Sequence, residues 1–173
     1  MATFKENYEY GKVGESLVAK WLRKRGNHIM PVYEKVIEGE FRGPAIFPHV
    51  GKPFAAPDMF VFTKTTAMWV ESKRKGLMTF RDVSRTWQVG IKMKDFNNYL
   101  NLIKMSPFQV WIFFLVTGGH DEYNRLSPGG LYCENLANLL ETFDHYDYEE
   151  SDMIYWNDED LRKFDTYESV SNL

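Results

Sequence analysis

A chain of 173 residues with 44% hydrophobic and 16% aromatic content is long enough for one full core, short for two, and too apolar to be disordered. Its net charge of −3 hides an asymmetry: residues 140–173 hold eleven acidic and two basic side chains, while the first 139 hold 13 acidic and 19 basic ones, a basic body with an acidic C-terminal segment. One cysteine, Cys133, excludes an internal disulfide, four scattered histidines (His28, His49, His120, His145) make no zinc-type cluster, and the longest apolar run, Val110–Val116, is too short to span a bilayer.

The amino-terminal MATFKENYEYGK lacks the apolar stretch of a secretory leader, so a cytoplasmic protein is expected. From about Gly11 to Arg25, Val13, Leu17, Val18, Trp21 and Leu22 recur at helical spacing, and Gly26-Asn27 ends the helix. A strand is predicted over Ile29–Ile37. Glu38–Ala56, rich in Gly and Pro, reads as a loop-like arm carrying Phe41, Arg42, Phe47 and Lys52. Two apolar runs, Met59–Phe62 and Met68–Arg74, flank a polar turn and predict a hairpin. A long helix is expected over Asp82–Lys104, with Val89, Met93, Phe96, Leu100 and Ile103 as its buried stripe, stopped by Ser106-Pro107. Phe108–Val116 is continuously apolar, as in a strand buried on both faces, and should lie parallel to Met68–Arg74. Beyond it, a short strand is predicted over Leu131–Glu134, a helix over Asn135–Phe143, an apolar segment at Met153–Trp156 and a last helix from Asn157 to Phe164. One α/β domain over residues 1–173 is the simplest account, with a core over about 11–116 and an acidic C-terminal extension over about 131–173.

The hairpin carries the chemistry. Asp58 stands at the mouth of its first strand. Glu71 and Lys73 are two residues apart on the second, so they leave the same face, with Asp58 across from them. Two carboxylates and the backbone carbonyl of Ser72 are hard oxygen donors of the kind Mg²⁺ takes, with Mn²⁺ as a substitute. A lysine beside them would hold or activate a water, or screen charge developing on a phosphate. The alternative is a surface hairpin with a cross-strand ion pair and no chemistry.

These residues, in their context, resemble the PD-(D/E)xK nuclease superfamily with its restriction-endonuclease-like fold. The matching pieces are GESLVAKWLRKRG, the APDMFVF strand, the WVESKRK strand, and the helix and apolar strand that follow, over roughly Gly11–Val116. The resemblance implies an α-β-β-β-α-β core, a mixed sheet flanked by helices, with C-terminal α/β additions. It implies Asp58 and Glu71 as metal ligands and Lys73 as the catalytic lysine. It also implies that Glu15 assists at the metal, directly or through water, as in subgroups that resemble Holliday-junction resolvases. The implied activity is Mg²⁺-dependent DNA endonuclease cleavage leaving a 5′-phosphate and a 3′-hydroxyl, with resolvase-like and small phage-type or mobile-element enzymes as the nearest subgroups. DNA is the expected partner, and a homodimer or higher homo-oligomer is expected because one domain of this size carries one site. A module that binds nucleic acid or protein on the same fold without catalysis is the alternative.

Further basic residues predict a DNA-facing surface: Lys75 beside the site, and Arg81, Arg85, Gln88 and Lys92 at helical spacing along the long helix. In RecB-like subgroups a glutamine near Gln88 faces the site, but the tyrosine that follows it there is replaced by Ile91 and Lys92. The acidic C-terminal segment is expected to lie over the basic face.

Overall fold

The computed structural model describes residues 3–32, 45–147 and 151–173. Helix α1 (Phe4–Lys24) starts about two turns before the predicted boundary because Thr3 and Glu6 form a capping box, each side chain taking up a free backbone N–H of the other. Its apolar face, Val18, Trp21 and Leu22, is buried. Gly26, at φ +81°, turns the chain out of the helix.

Strand β1 is described over His28–Pro31; the rest of the predicted strand, residues 33–37, and Phe41 and Arg42 of the arm lie outside the described residues. The rest of the predicted loop forms a small ladder of β2 (Ala45–Ile46) on β3 (Phe54–Ala55). The hairpin is β4 (Met59–Phe62) and β5 (Ala67–Lys75), paired antiparallel as expected.

The long helix is the main correction. Its first half is the turn and second strand of a second hairpin, β6 (Thr79–Arg81) paired with β7 (Thr86–Lys92), and only Met93–Met105 is helical (α2). Trp87, Val89 and Ile91 alternate with polar or small residues and pack into the core from a strand, where a period of two, not 3.6, buries them. Strand β8 (Gln109–Val116) then runs parallel to β5. A short ladder, β9 (Gly119–His120) and β10 (Leu126–Ser127), leads into β11 (Gly130–Asn135). Helix α3 (Leu136–Thr142) is capped by Asn135. After β12 (His145–Asp147) and β13 (Met153–Asn157), the predicted last helix is replaced by a 3₁₀ turn at Asp158–Asp160 and strand β14 (Arg162–Asp165), followed by α4 (Tyr167–Ser171).

Six strands form a mixed sheet in the order β1-β4-β5-β8-β11-β14, with β5 and β8 its parallel pair; four form an antiparallel sheet in the order β12-β13-β7-β6. The C-terminal segment thus supplies strands to both sheets. Central β8 is buried on both faces. Val110, Ile112, Phe114 and Val116 join the core with α2, α3 and the second sheet, whereas Phe113 and Leu115 join the core with α1. Truncating a fully buried member such as Leu115 would cost about 2–5 kcal/mol. No helix among the described residues is long and apolar enough to cross a membrane.

At Gly14, helix α1 lies directly against the Arg74 side chain of β5. A Cβ at Gly14 would stand 2.6 Å from the Cβ of Arg74. Glycine there lets the helix lie close on the strand that carries Glu71 and Lys73.

Candidate active site

The register of the β4–β5 ladder, Met59↔Val70 and Phe60↔Trp69, continues to put Asp58 opposite Glu71. Odd-numbered residues of β5 face α2: Trp69 packs on Phe60 and against the α2 core, and Glu71 and Lys73 follow on that face. Even-numbered Val70 faces α1.

The Ser72 N–H donates to Asp58 Oδ2 at 2.8 Å. Lys73 Nζ lies 2.6 Å from Glu71 Oε1 and 3.2 Å from Asp95 Oδ2 on α2. One helical turn beyond Asp95, the buried Tyr99 donates a hydrogen bond to Glu71. Asp58, Glu71 and Lys73 are therefore brought together, and Asp95 and Tyr99 join them.

The charges explain the proton affinities. Burial raises the Asp58 carboxyl well above the carboxylate range, and the negative charges of Glu71 and Glu15 push it further; the Ser72 amide and Lys73 oppose the shift without cancelling it. Burial works to lower Lys73, but Glu71 and Asp95 overcome it, and its ammonium holds its proton more firmly than a free lysine does. Burial, with the charges of Glu71 and Asp95, keeps Tyr99 protonated far above neutrality.

Glu15 approaches from α1. It pairs with Lys12 Nζ at 2.9 Å, and both line a cavity of about 530 Å³ with Tyr8, Ser16 and Asp58. Its charge reaches Asp58. Among the described residues, no group of three or more His, Cys, Asp or Glu side chains is arranged to hold a metal ion.

The basic helix stripe does not exist. Arg81 ends β6 and pairs with Asp144, while Gln88 is buried in β7, donating to Asp144 at 3.0 Å and Asn157 at 2.9 Å. Arg85 is exposed in the turn at φ +57°, and exposed Lys92 closes β7. A strand points alternate residues to opposite faces, so spacings of four, three and four no longer align them. Asp144 and Asn157 come from the acidic C-terminal segment, which does meet Arg81 here, through folded pairing of β13 with β7. Lys75 stays beside the site, on the face of Lys73.

Asp95 and Tyr99 went unnoticed in the sequence. Their spacing of four was visible within a helix, but only docking of α2 on β5 gives it meaning.

No family model matches the chain, and no curated protein matches it in sequence. Among solved structures it is similar to Hjc, a Holliday junction resolvase from the archaeal hyperthermophile Archaeoglobus fulgidus. The TM-score is 0.50 at 9% identity, over 92% of this chain and 99% of that one. It is also similar to a nuclease from a fusselovirus, with a TM-score of 0.42 at 13% identity over 94% of this chain and 89% of that one. The fold is the restriction-endonuclease-like fold, a mixed sheet flanked by helices.

Proposed function

We propose that this chain is a metal-dependent DNA endonuclease whose centre is the facing pair Asp58 and Glu71. The observation that carries the reading is their crowding: two carboxylates oppose each other at the end of one strand pair, where burial raises the Asp58 carboxyl and the charge of Glu71 raises it further. A divalent cation relieves that crowding as a proton does. The donors suit a hard ion, Mg²⁺ or in its place Mn²⁺, since all are oxygen. In a strand, the N–H and C=O of one residue point the same way, so the Ser72 amide bond to Asp58 supports the Ser72 carbonyl as a third donor. Glu15, paired with Lys12, adds negative charge from the α1 side and assists through water.

Bound there, the cation would supply charge neutralisation in the in-line transition state and a lower pKa for the attacking water. With its proton held firmly beside Glu71 and Asp95, Lys73 is placed to donate a hydrogen bond and positive charge toward a phosphate oxygen or the water. Asp95 and Tyr99 hold Lys73 and Glu71 in position. Cleavage leaves a 5′-phosphate and a 3′-hydroxyl. Branched DNA is the first substrate to try, because one solved structure of similar fold is a Holliday junction resolvase. Cutting two strands takes two copies of the centre, hence a homodimer.

The test is a cleavage panel with Mg²⁺ against branched, nicked, single-stranded and plasmid DNA. Cleavage that Asp58→Ala, Glu71→Gln or a chelator abolishes supports the reading; no cleavage of any substrate ends it. A second reading, a non-catalytic binding module, has two observations in its favour: Lys73 already pairs with Glu71, and no third acidic ligand completes the group among the described residues. A module would bind DNA or protein indifferently to Asp58→Ala and to chelator, whereas the enzyme would lose cleavage and keep DNA binding.

A further inference from the structure

Lys75 follows Lys73 by two residues on β5, so both side chains leave the face toward α2. Their surroundings differ. Lys73 sits between Glu71 and Asp95, whereas half-buried Lys75 has no hydrogen bond or ion pair among the described residues. It lines a cavity of about 110 Å³ with Leu77, Thr79, Gln88, Gly90 and Tyr155, and no acidic residue lines that cavity. The Gln88 amide is already engaged by Asp144 and Asn157. Gly90 lies tight against the neighbouring strand: a Cβ there would stand 2.6 Å from the Ile154 carbonyl oxygen and 2.8 Å from the Tyr155 ring. A partly buried cation without an anion is unfavourable. Burial and the repulsion of Lys73 both weaken its hold on its proton.

We infer that the Lys75 cavity is a phosphate subsite that receives the backbone phosphate next to the one held at Lys73. Two residues along a strand span roughly 6.6 Å, comparable to the step between successive phosphates of one nucleic-acid strand. DNA laid along the end of β5 brings one phosphate to Lys73 and its neighbour to Lys75. Thr79 and Tyr155, which line the same cavity, carry hydroxyls that are neutral donors. The identity of the anion rests on the nuclease reading above; the unpaired cation and its cavity do not.

The experiment measures binding of labelled branched and duplex DNA by the full chain in EDTA across a salt series. Lys75→Met and Lys75→Gln should each lower the slope of log K against log[salt] by about 0.9, the loss of one phosphate contact, and weaken binding uniformly across sequences. Two variants guard against one that misfolds. The unmodified protein gives a third readout: a single neutral methylphosphonate linkage, scanned along the strand, should weaken its binding at two successive positions. Slopes unchanged in a folded variant, or one sensitive linkage without a sensitive neighbour, overturn the subsite. The two failures are separable: a slope change with no cleavage of any DNA leaves the subsite and removes the nuclease, while cleavage with unchanged slopes does the reverse.

Discussion

Lys73 on β5 and Asp95 on α2 are 22 residues apart in the chain and 3.2 Å apart in space. This contact ties the helix after the hairpin to the strand that carries the proposed chemistry. It also leaves Lys73 with two carboxylates to choose between, Glu71 and Asp95, instead of one. Replacing Asp95 by Asn removes one of these charges and leaves the fold of the turn intact. Losing a charge-assisted hydrogen bond costs about 1.5–3 kcal/mol, so kcat should fall roughly tenfold or more with little change in KM for DNA. Steady-state kinetics on the preferred substrate check this, and a raised KM at unchanged kcat counts against a positioning role.

Tyr99 is buried and keeps its proton across the neutral range, so there it remains a donor to Glu71. Tyr99→Phe leaves a buried carboxylate short of one donor. The expected loss is about 1–3 kcal/mol of stability, read as a lower denaturant midpoint at unchanged slope, together with reduced cleavage. An unchanged midpoint would show that Glu71 does not depend on this hydroxyl.

Gly14 offers a test whose sign is informative. In an exposed helix interior, Gly→Ala stabilises by about 1 kcal/mol. Here the added methyl would meet the Arg74 Cβ at 2.6 Å, an atom fixed to the strand backbone. Overpacking of this kind costs about 1–3 kcal/mol, so Gly14→Ala should lower the melting temperature. A rise would mean that α1 can move off β5 freely.

Asp58 links pH, metal and stability. Its folded pKa is raised, so folding favours the protonated form; the protein has that advantage below the unfolded pKa and loses it as pH rises through the folded value. In chelator near neutral pH, Asp58→Asn should therefore melt above the unmodified protein, and the gap should close toward acid. Mg²⁺ should reverse the order. A ligand at 100 times its Kd stabilises by about 2.7 kcal/mol, and that gain should appear in the unmodified chain and be absent from Asp58→Asn. Equal responses to Mg²⁺ in both would remove Asp58 from the set of metal ligands.

Much of the site was legible because it is local. Asp58, Glu71 and Lys73 lie on one hairpin, and strand parity alone puts Glu71 and Lys73 on one face. The capped amphipathic helix and the apolar run of β8 were equally plain, since each carries its own periodicity. The β7–α2 boundary was not. Lys92 offers no side-chain cap, and the Met93 N–H is satisfied by the Asp152 carbonyl, 59 residues farther along the chain. With no local start signal, the alternating core residues of β7 merged with the stripe of α2, and a strand was read as helix.

Composition, hydrophobic period and hairpin spacing by themselves determined the α/β class, the first helix, the apolar strand β8 and the facing carboxylates, because those signals are carried by residues near one another in sequence. The second sheet, the burial of Gln88, the strand after the 3₁₀ turn and the approach of Asp95 and Tyr99 were decided only by tertiary structure. In each of these the hydrogen bonds or charges are completed by a distant segment, and that partnership overrides what the local pattern favours.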